Sequence, residues 1–312
     1  MEADLPGEGN NMDDNFSELK KCNLCPRNCG ADRFLSHGYC GAPADIMAAR
    51  ASLHMWEEPC ISGEEGSGTV FFSGCSLRCV YCQNYHISDC SRGKVITTDR
   101  LAEIFLELQS KKANNINLVT PTHYTPQIAE ALRKAVCKGL YIPVVYNCSG
   151  YEKPETLELM SGLVDIFLTD FKYMNPETAK KYSNAPDYPK VAKKALECMM
   201  SLVGGIKFDK RGMMEKGIIV RHLILPGYTE ESKEIIRYLY ENYKDDICIS
   251  IMNQYTPLEN ASKYPEIYRK VSKEEYDDVI KYAESTGIEN AFIQEDETAL
   301  ESFIPDFDDS GI

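Results

Sequence analysis

The sequence predicts an open, partial (β/α)6 barrel of the α/β class with a cysteine-rich N-terminal extension. Three observations carry that reading. From Thr69 onward, short apolar runs rich in Val, Ile, Phe and Tyr alternate with amphipathic helical stretches, the order expected of parallel strands joined by right-handed crossovers. Six of these runs are clear, too few for an eight-unit barrel of ~250 residues. Seven of the thirteen cysteines fall into two tight groups, one ahead of the first run and one directly after it.

The expected strands are Thr69–Ser73, Ile116–Thr120, Ile142–Asn147, Ile166–Asp170, Gly217–Leu225 and Ile247–Asn253, with a weaker seventh at Ala291–Gln294; Gly, Pro and Asn bound them. Between them, Leu101, Ile104, Phe105 and Leu108 share one helical face. Pro126 suits a helix start ahead of Ile128, Leu132 and Ala135. Pro176 opens a long helix running toward Met200, and Ser272 with Glu275 forms a capping box. The chain thus divides into a polar acidic arm over 1–19, a cysteine-rich segment over 20–66, a core domain over 67–294 and an acidic tail over 295–312. The arm is expected to be disordered and the tail loose.

Composition narrows the function. The chain has 312 residues, 43% of them hydrophobic, enough for a sizeable core. A net charge of −14 with no basic face disfavours a nucleic-acid partner. The longest apolar runs, such as Gly217–Leu225, are too short for a membrane span, and the acidic N-terminus lacks a signal-peptide plan. A cytoplasmic protein with no membrane partner is expected. Thirteen cysteines in such a chain point to metal ligation and buried small side chains rather than a disulfide framework.

The second cysteine group reads Gly74-Cys75-Ser-Leu-Arg-Cys79-Val-Tyr81-Cys82. Three thiolates spaced C-x3-C-x2-C in a loop after a strand can meet three corners of one [4Fe–4S] cluster, and thiolate is the ligand that iron–sulfur chemistry takes. No fourth cysteine is local, which leaves one iron for a small molecule. A closed zinc site takes four ligands.

This motif resembles that of the radical S-adenosylmethionine superfamily. The wider chain, over nearly all of residues 20 to 295, resembles uncharacterised iron–sulfur proteins related to pyruvate formate-lyase activating enzymes. Cys22-Asn-Leu-Cys25-Pro-Arg-Asn-Cys29-Gly, Trp56-Glu-Glu-Pro-Cys60-Ile-Ser-Gly and Gly68-Thr-Val-Phe-Phe-Ser-Gly-Cys75 carry that likeness. It implies a barrel of the radical S-adenosylmethionine type whose cluster cleaves S-adenosylmethionine reductively to a 5′-deoxyadenosyl radical. It also implies a reductant such as flavodoxin or ferredoxin, and a protein substrate if the chain activates a glycyl-radical enzyme.

The resemblance assigns Tyr81 to packing against adenine, with a core tyrosine as the alternative. Activating enzymes carry Gly-Gly-Glu-Pro after the second strand, where this chain has Val119-Thr120-Pro121-Thr122-His123. The acidic residue is missing; a backbone carbonyl or Thr122 is the candidate replacement, and His123 faces the site or only its own loop. Asn147 and Ser149 match a segment that approaches the cofactor. Asp170 and Lys172 match an Asp-x-Lys that binds its polar groups, with a surface ion pair as the alternative. Arg221 matches a family Arg-x4-Pro-Gly, with His222 on the opposite strand face, and Asn253-Gln254-Tyr255 sits where relatives close the site.

The first cysteine group, Cys22, Cys25, Cys29 and Cys40, leaves zinc, an auxiliary iron–sulfur cluster or ordinary cysteines open, and Cys60 is an alternative fourth member. The hydrogen-atom donor is likewise open. A glycyl-radical-enzyme activase, a radical enzyme acting on another peptide or small molecule, and a non-catalytic iron–sulfur or zinc scaffold are the readings.

Overall fold

A computed structural model describes residues 16–294 and 305–312; residues 1–15 of the expected arm and 295–304 of the expected tail lie outside the described residues. In chain order the elements are β1 (Ile46–His54), a short helix α1 (Pro59–Ser62), β2 (Ser67–Phe72), β3 (Lys94–Ile96), α2 (Thr98–Ser110), β4 (Ile116–Val119), α3 (Thr125–Cys137), β5 (Val144–Cys148), α4 (Pro154–Leu157), β6 (Ile166–Asp170), α5 (Pro176–Ser183), α6 (Tyr188–Val203), β7 (Lys207–Phe208), β8 (Met214–Leu223), α7 (Thr229–Tyr243), β9 (Cys248–Met252), α8 (Lys273–Thr286) and β10 (Ala291–Ile293).

The strands form one sheet in the order β10-β9-β8-β6-β5-β4-β2-β1-β3, with β7 paired to β8. From β2 to β10 along this path every pairing is parallel, while β1 runs antiparallel to β2 and β3. Among the described residues the two ends of the path do not pair, so the barrel is open. β2, β4 and β5 are buried at every residue, because helices cover the outside and the barrel core fills the inside. All seven expected strands are present within a few residues. β1 was not expected; its sequence IMAARASLH uses alanine where a strand signal needs branched or aromatic side chains.

The helices show their caps. α2 starts at Thr97, whose hydroxyl accepts from the Arg100 amide, and it buries Leu101, Ile104, Phe105 and Leu108. α8 has the Ser272–Glu275 capping box. The long helix expected from Pro176 to Met200 is instead two helices. Asn184 takes a left-handed conformation and ends α5, and Pro189 sits in the first turn of α6. No described helix is long and apolar enough to cross a membrane.

Two connections shape the barrel interior. The segment after β1 plugs the barrel base through α1, where Cys60 and Ile61 pack on Val145, Ile166, Leu168 and Ile219. Glu57 and Glu58 are thereby carried inside. Residues 305–312, expected in a loose tail, pack along β1: the Ala51 amide donates to the Ser310 carbonyl (2.8 Å) and the Asp309 amide to the Ala49 carbonyl (3.1 Å).

Candidate active site

Cys75, Cys79 and Cys82 leave the C-terminal end of β2 and line one cavity of about 250 Å³ with Tyr81, Asn147, Ser149, Asp170, Lys172, Arg221 and Gln254. A larger cavity, about 850 Å³, opens between Cys60, Phe208, Met213, Cys248 and Phe292. Those residues lie on α1 and β7, at the start of β8 and β9 and on β10, opposite the strand ends that carry chemistry in barrels, so the smaller cavity is the candidate site.

The cysteine loop is braced from two sides. The Leu77 amide donates to Cys75 Sγ (3.4 Å), and the Ser183 hydroxyl, at the end of α5, donates to Cys79 Sγ (2.9 Å). Arg27 reaches across from the N-terminal segment and donates to the carbonyls of Ser76 (2.8 Å), Ser183 (2.9 Å) and Asn184. The break between α5 and α6 is what exposes those two last carbonyls. Burial raises the pKa of the Cys79 and Cys82 thiols; Lys172 opposes it at Cys79, and the Cys75 and Cys79 thiols add to it at Cys82.

Beside the thiols lies a network of charges. Asp170 at the end of β6 accepts from Lys172 Nζ (2.6 Å) and Arg221 Nε (3.2 Å). Arg221 on β8 also donates to Asn147 Oδ1 (2.6 Å) and Glu57 Oε2 (3.2 Å). Glu57 Oε1 accepts from Asn117 on β4 (2.9 Å) and Asn147 on β5 (3.4 Å). Burial opposes the charged Asp170, but Lys172 and Arg221 outweigh it and hold its carboxyl below the usual value. Burial raises the Glu57 and Glu58 carboxyls against the pull of Arg221. An isolated surface ion pair does not describe this arrangement, since Asp170, Lys172 and Arg221 side chains are 14%, 18% and 17% exposed.

Backbone shape completes the wall. Gly150 has φ +76°, and a Cβ there would lie 2.2 Å from the Asp170 carbonyl oxygen. The β5 and β6 ends therefore approach closely only with glycine. The Tyr188 hydroxyl, at the start of α6, donates to the Ser149 carbonyl (2.8 Å) and accepts from the Lys172 amide (2.9 Å). Thr120, also in the lining, is a β-branched residue at φ +59°, a strained conformation.

The remaining candidates sit differently. Tyr81 touches the cavity, yet its hydroxyl meets that of Tyr173 (2.6 Å) and its ring packs on Tyr182 and Tyr255. Thr122 is buried outside the lining and donates to Glu152 (2.8 Å). His123 is buried behind the cysteine loop, where its Nε2 donates to the Ser73 carbonyl (2.7 Å). Burial and nearby Arg33 lower its pKa to about 3. His222 faces away from Arg221 and donates to the Phe171 carbonyl (2.9 Å). Gln254 closes over the loop, accepting at its carbonyl from Gln83 (3.0 Å), while Tyr255 is buried.

The N-terminal cysteines form a packed knuckle. Cys22, Cys25 and Cys40 are buried and Cys29 is exposed. Cys22 packs with Phe16, Leu19, Leu24 and Ala44. Burial pushes the Cys25 thiol up to about 12. Cys60 lies at the barrel base, apart from them. Among the described residues no three His, Cys, Asp or Glu side chains close round a point that one metal ion could occupy. Ligands of a four-iron cluster each take a different iron, so Cys75, Cys79 and Cys82 need not meet at one point.

Glu57, Trp56 and His54 line the cavity without having been singled out for the site. Their signal lay in the Trp56-Glu57-Glu58-Pro59 run, where adjacent acids precede a proline and a short apolar turn.

Comparison with known proteins fits this geometry. The chain is 28% identical over 277 residues to the uncharacterized protein MJ0674 of Methanocaldococcus jannaschii, covering 87% of this chain and 76% of that one. It is 26% identical over 174 residues to the pyruvate formate-lyase-activating enzyme of Clostridium pasteurianum, covering 54% and 66%. SuiB of Streptococcus suis, solved bound to S-adenosylmethionine, superposes with a TM-score of 0.49 at 14% identity over 71% of this chain. The match spans about half of SuiB, 48% of its length. The Radical SAM superfamily model matches residues 69–239, more than half of the sequence, and the chain belongs to that superfamily.

Proposed function

We propose that this protein is a radical S-adenosylmethionine enzyme of the activating-enzyme type, holding a [4Fe–4S] cluster through Cys75, Cys79 and Cys82. The observation that carries the reading is one cavity that joins these three thiols to Asp170, Lys172, Arg221 and Glu57. The donor set fits both groups: soft thiolates for iron, and paired opposite charges for the zwitterionic end of S-adenosylmethionine. When bound, the cluster supplies one electron that breaks a carbon–sulfur bond of S-adenosylmethionine, and the carbon radical so released takes a hydrogen atom from the substrate.

The protein's own residues orient and shield. Lys172 and Arg221 present donors to a carboxylate, and Glu57 and Asp170 present acceptors to an ammonium group. Asn147 and Ser149 line the close approach that Gly150 allows, and Tyr81 contributes an aromatic wall. Thr122 takes no part in this reading, because its hydroxyl is engaged by Glu152. The partial likeness to a pyruvate formate-lyase-activating enzyme supports a glycine of a partner protein as hydrogen donor, with a flavodoxin or ferredoxin as cytoplasmic reductant.

The test is anaerobic reconstitution with iron and sulfide, followed by dithionite and S-adenosylmethionine. Release of 5′-deoxyadenosine by the native chain, absent from the Cys75→Ala, Cys79→Ala, Cys82→Ala triple variant, is expected. Faster release on adding a glycyl-radical enzyme would support the activase reading. Well-loaded protein that releases none would overturn the enzyme reading.

A further inference from the structure

Residues 305–312 do more than finish the chain's path. Pro305 lines the cavity that holds Cys75, Cys79 and Cys82. Phe307 packs edge-on against Phe71, ring centroids 5.5 Å apart, and joins the apolar cluster of Ala49, Phe71, Ile87 and Val119. Phe71, Ile87 and Val119 are themselves cavity lining. We propose that this segment is a detachable wall of the cavity, a strap that Phe307 seats on Phe71 and in which Pro305 sets the size of molecule admitted to the site. The proposal rests on the reading of that cavity as the cluster and cofactor site.

Three features support a wall that can leave. Its neighbours are sheet strands, whereas the strap itself is held by the Ala51–Ser310 and Asp309–Ala49 backbone hydrogen bonds and by the partly buried Ile312 against the main core. It is further held by Arg50, which donates to the Asp306 carbonyl (2.6 Å) and pairs with Asp308 (2.9 Å). Asp308 is 54% exposed, and an ion pair so exposed adds little. β3 pairs only with residues 46–48 of β1, so the strap meets the next stretch of the same sheet edge through two backbone bonds and is not a strand of the sheet. The cavity volume of about 250 Å³ lies below the roughly 300–1,000 Å³ of small-molecule pockets, and displacing Pro305 would widen it.

The seat is also closely fitted. Gly311 has φ +76°, and a Cβ there would fall 2.1 Å from the Ala51 carbonyl oxygen. Backbone stands on both sides of that contact, so Gly311→Ala should unseat the strap while keeping its charges and its phenyl ring.

The experiment measures how fast two iron chelators of different size, 1,10-phenanthroline and bathophenanthroline disulfonate, strip the reconstituted, reduced protein. In the full chain the bulkier probe is expected to lag the smaller one by about tenfold, as a wall that opens only part of the time requires. In Gly311→Ala, Phe307→Ala and a chain stopped after residue 304, that lag should collapse toward none. Folded variants that keep the full chain's lag would overturn the proposal. Hydrogen exchange on the unaltered chain gives an independent reading: the Ala51 amide should exchange faster than the β4 and β5 amides, and equal protection would overturn displaceability. If no cluster forms, the functional reading fails, and the Ala51 exchange still decides the strap.

Discussion

Two groups of cysteines lie within the first 82 residues, and their surroundings differ. Cys75, Cys79 and Cys82 face a cavity edged by buried cations and carboxylates. Cys22, Cys25 and Cys40 are buried, with Cys22 against apolar side chains, and the attached Arg27 clamps the loop of the other group. Similar spacing therefore accompanies two environments: one lines a cavity, and in the other Cys22, Cys25 and Cys40 lie near one another with Arg33 reaching Cys22 Sγ (4.0 Å). The lesson is that cysteine spacing proposes a metal site, and the open, polar space beside the thiols distinguishes the group that could also receive a small molecule.

The largest test of this contrast is iron content. The Cys75→Ala, Cys79→Ala, Cys82→Ala variant is expected to bind no iron. Cys22→Ala should keep about four irons per chain, the content of one cubane, and lose about 1–2 kcal/mol of stability through reduced burial. Iron, zinc and sulfide analysis with thermal melts checks both; eight irons, or zinc that vanishes with Cys22, would make the knuckle a metal site.

Next is the charge network. Asp170→Asn leaves Lys172 and Arg221 buried with less compensation, and breaking such a pair costs about 3 kcal/mol. Denaturant melts should show that loss, and equilibrium dialysis should show weaker S-adenosylmethionine binding. A melt within error of the native chain would mean the network is more solvated than the structure shows.

A pH titration probes His222, which faces away from Arg221 on β8. Burial lowers the His222 pKa to about 4, so the folded state resists the proton that an unfolded histidine takes near pH 6.5. The His222 contribution to stability should fall as pH drops from about 6.5 to about 4, by up to about 3 kcal/mol. Buried His123, lowered to about 3, adds to the same fall, so His222→Gln should remove only its own share of the slope. A profile unchanged by the substitution would contradict the shift at His222.

A smaller effect is expected at the joint between the two cysteine groups. Arg27→Ala removes three hydrogen bonds to carbonyls and should cost about 1–2 kcal/mol while leaving iron content intact after reconstitution. Faster cluster loss on standing would show that the knuckle's role is to brace the loop. Smallest of all is Thr120→Gly, which relieves a left-handed φ at a β-branched residue. It should raise stability by no more than about 1 kcal/mol.

Much of the fold was legible because the buried parallel strands are written as local apolar runs, such as Ile166-Phe-Leu-Thr-Asp170. β1 was not, since its alanines are selected by close packing rather than strand propensity. The α5–α6 break was hidden because Asn184 and Pro189 sit in an otherwise helical pattern. Glu57 and the strap depend on contacts between distant parts of the chain, Glu57 with Arg221 and Arg50 with Asp308, and no local pattern records them.

The central claim is that the cavity thiols hold a cluster that S-adenosylmethionine meets directly. Electron paramagnetic resonance of the reduced, reconstituted protein during titration with S-adenosylmethionine tests it. The account predicts a cluster signal that changes shape and saturates in the native chain, and no cluster signal in the Cys75, Cys79, Cys82 triple alanine variant. A signal indifferent to S-adenosylmethionine, or one that survives in the triple variant, would contradict it.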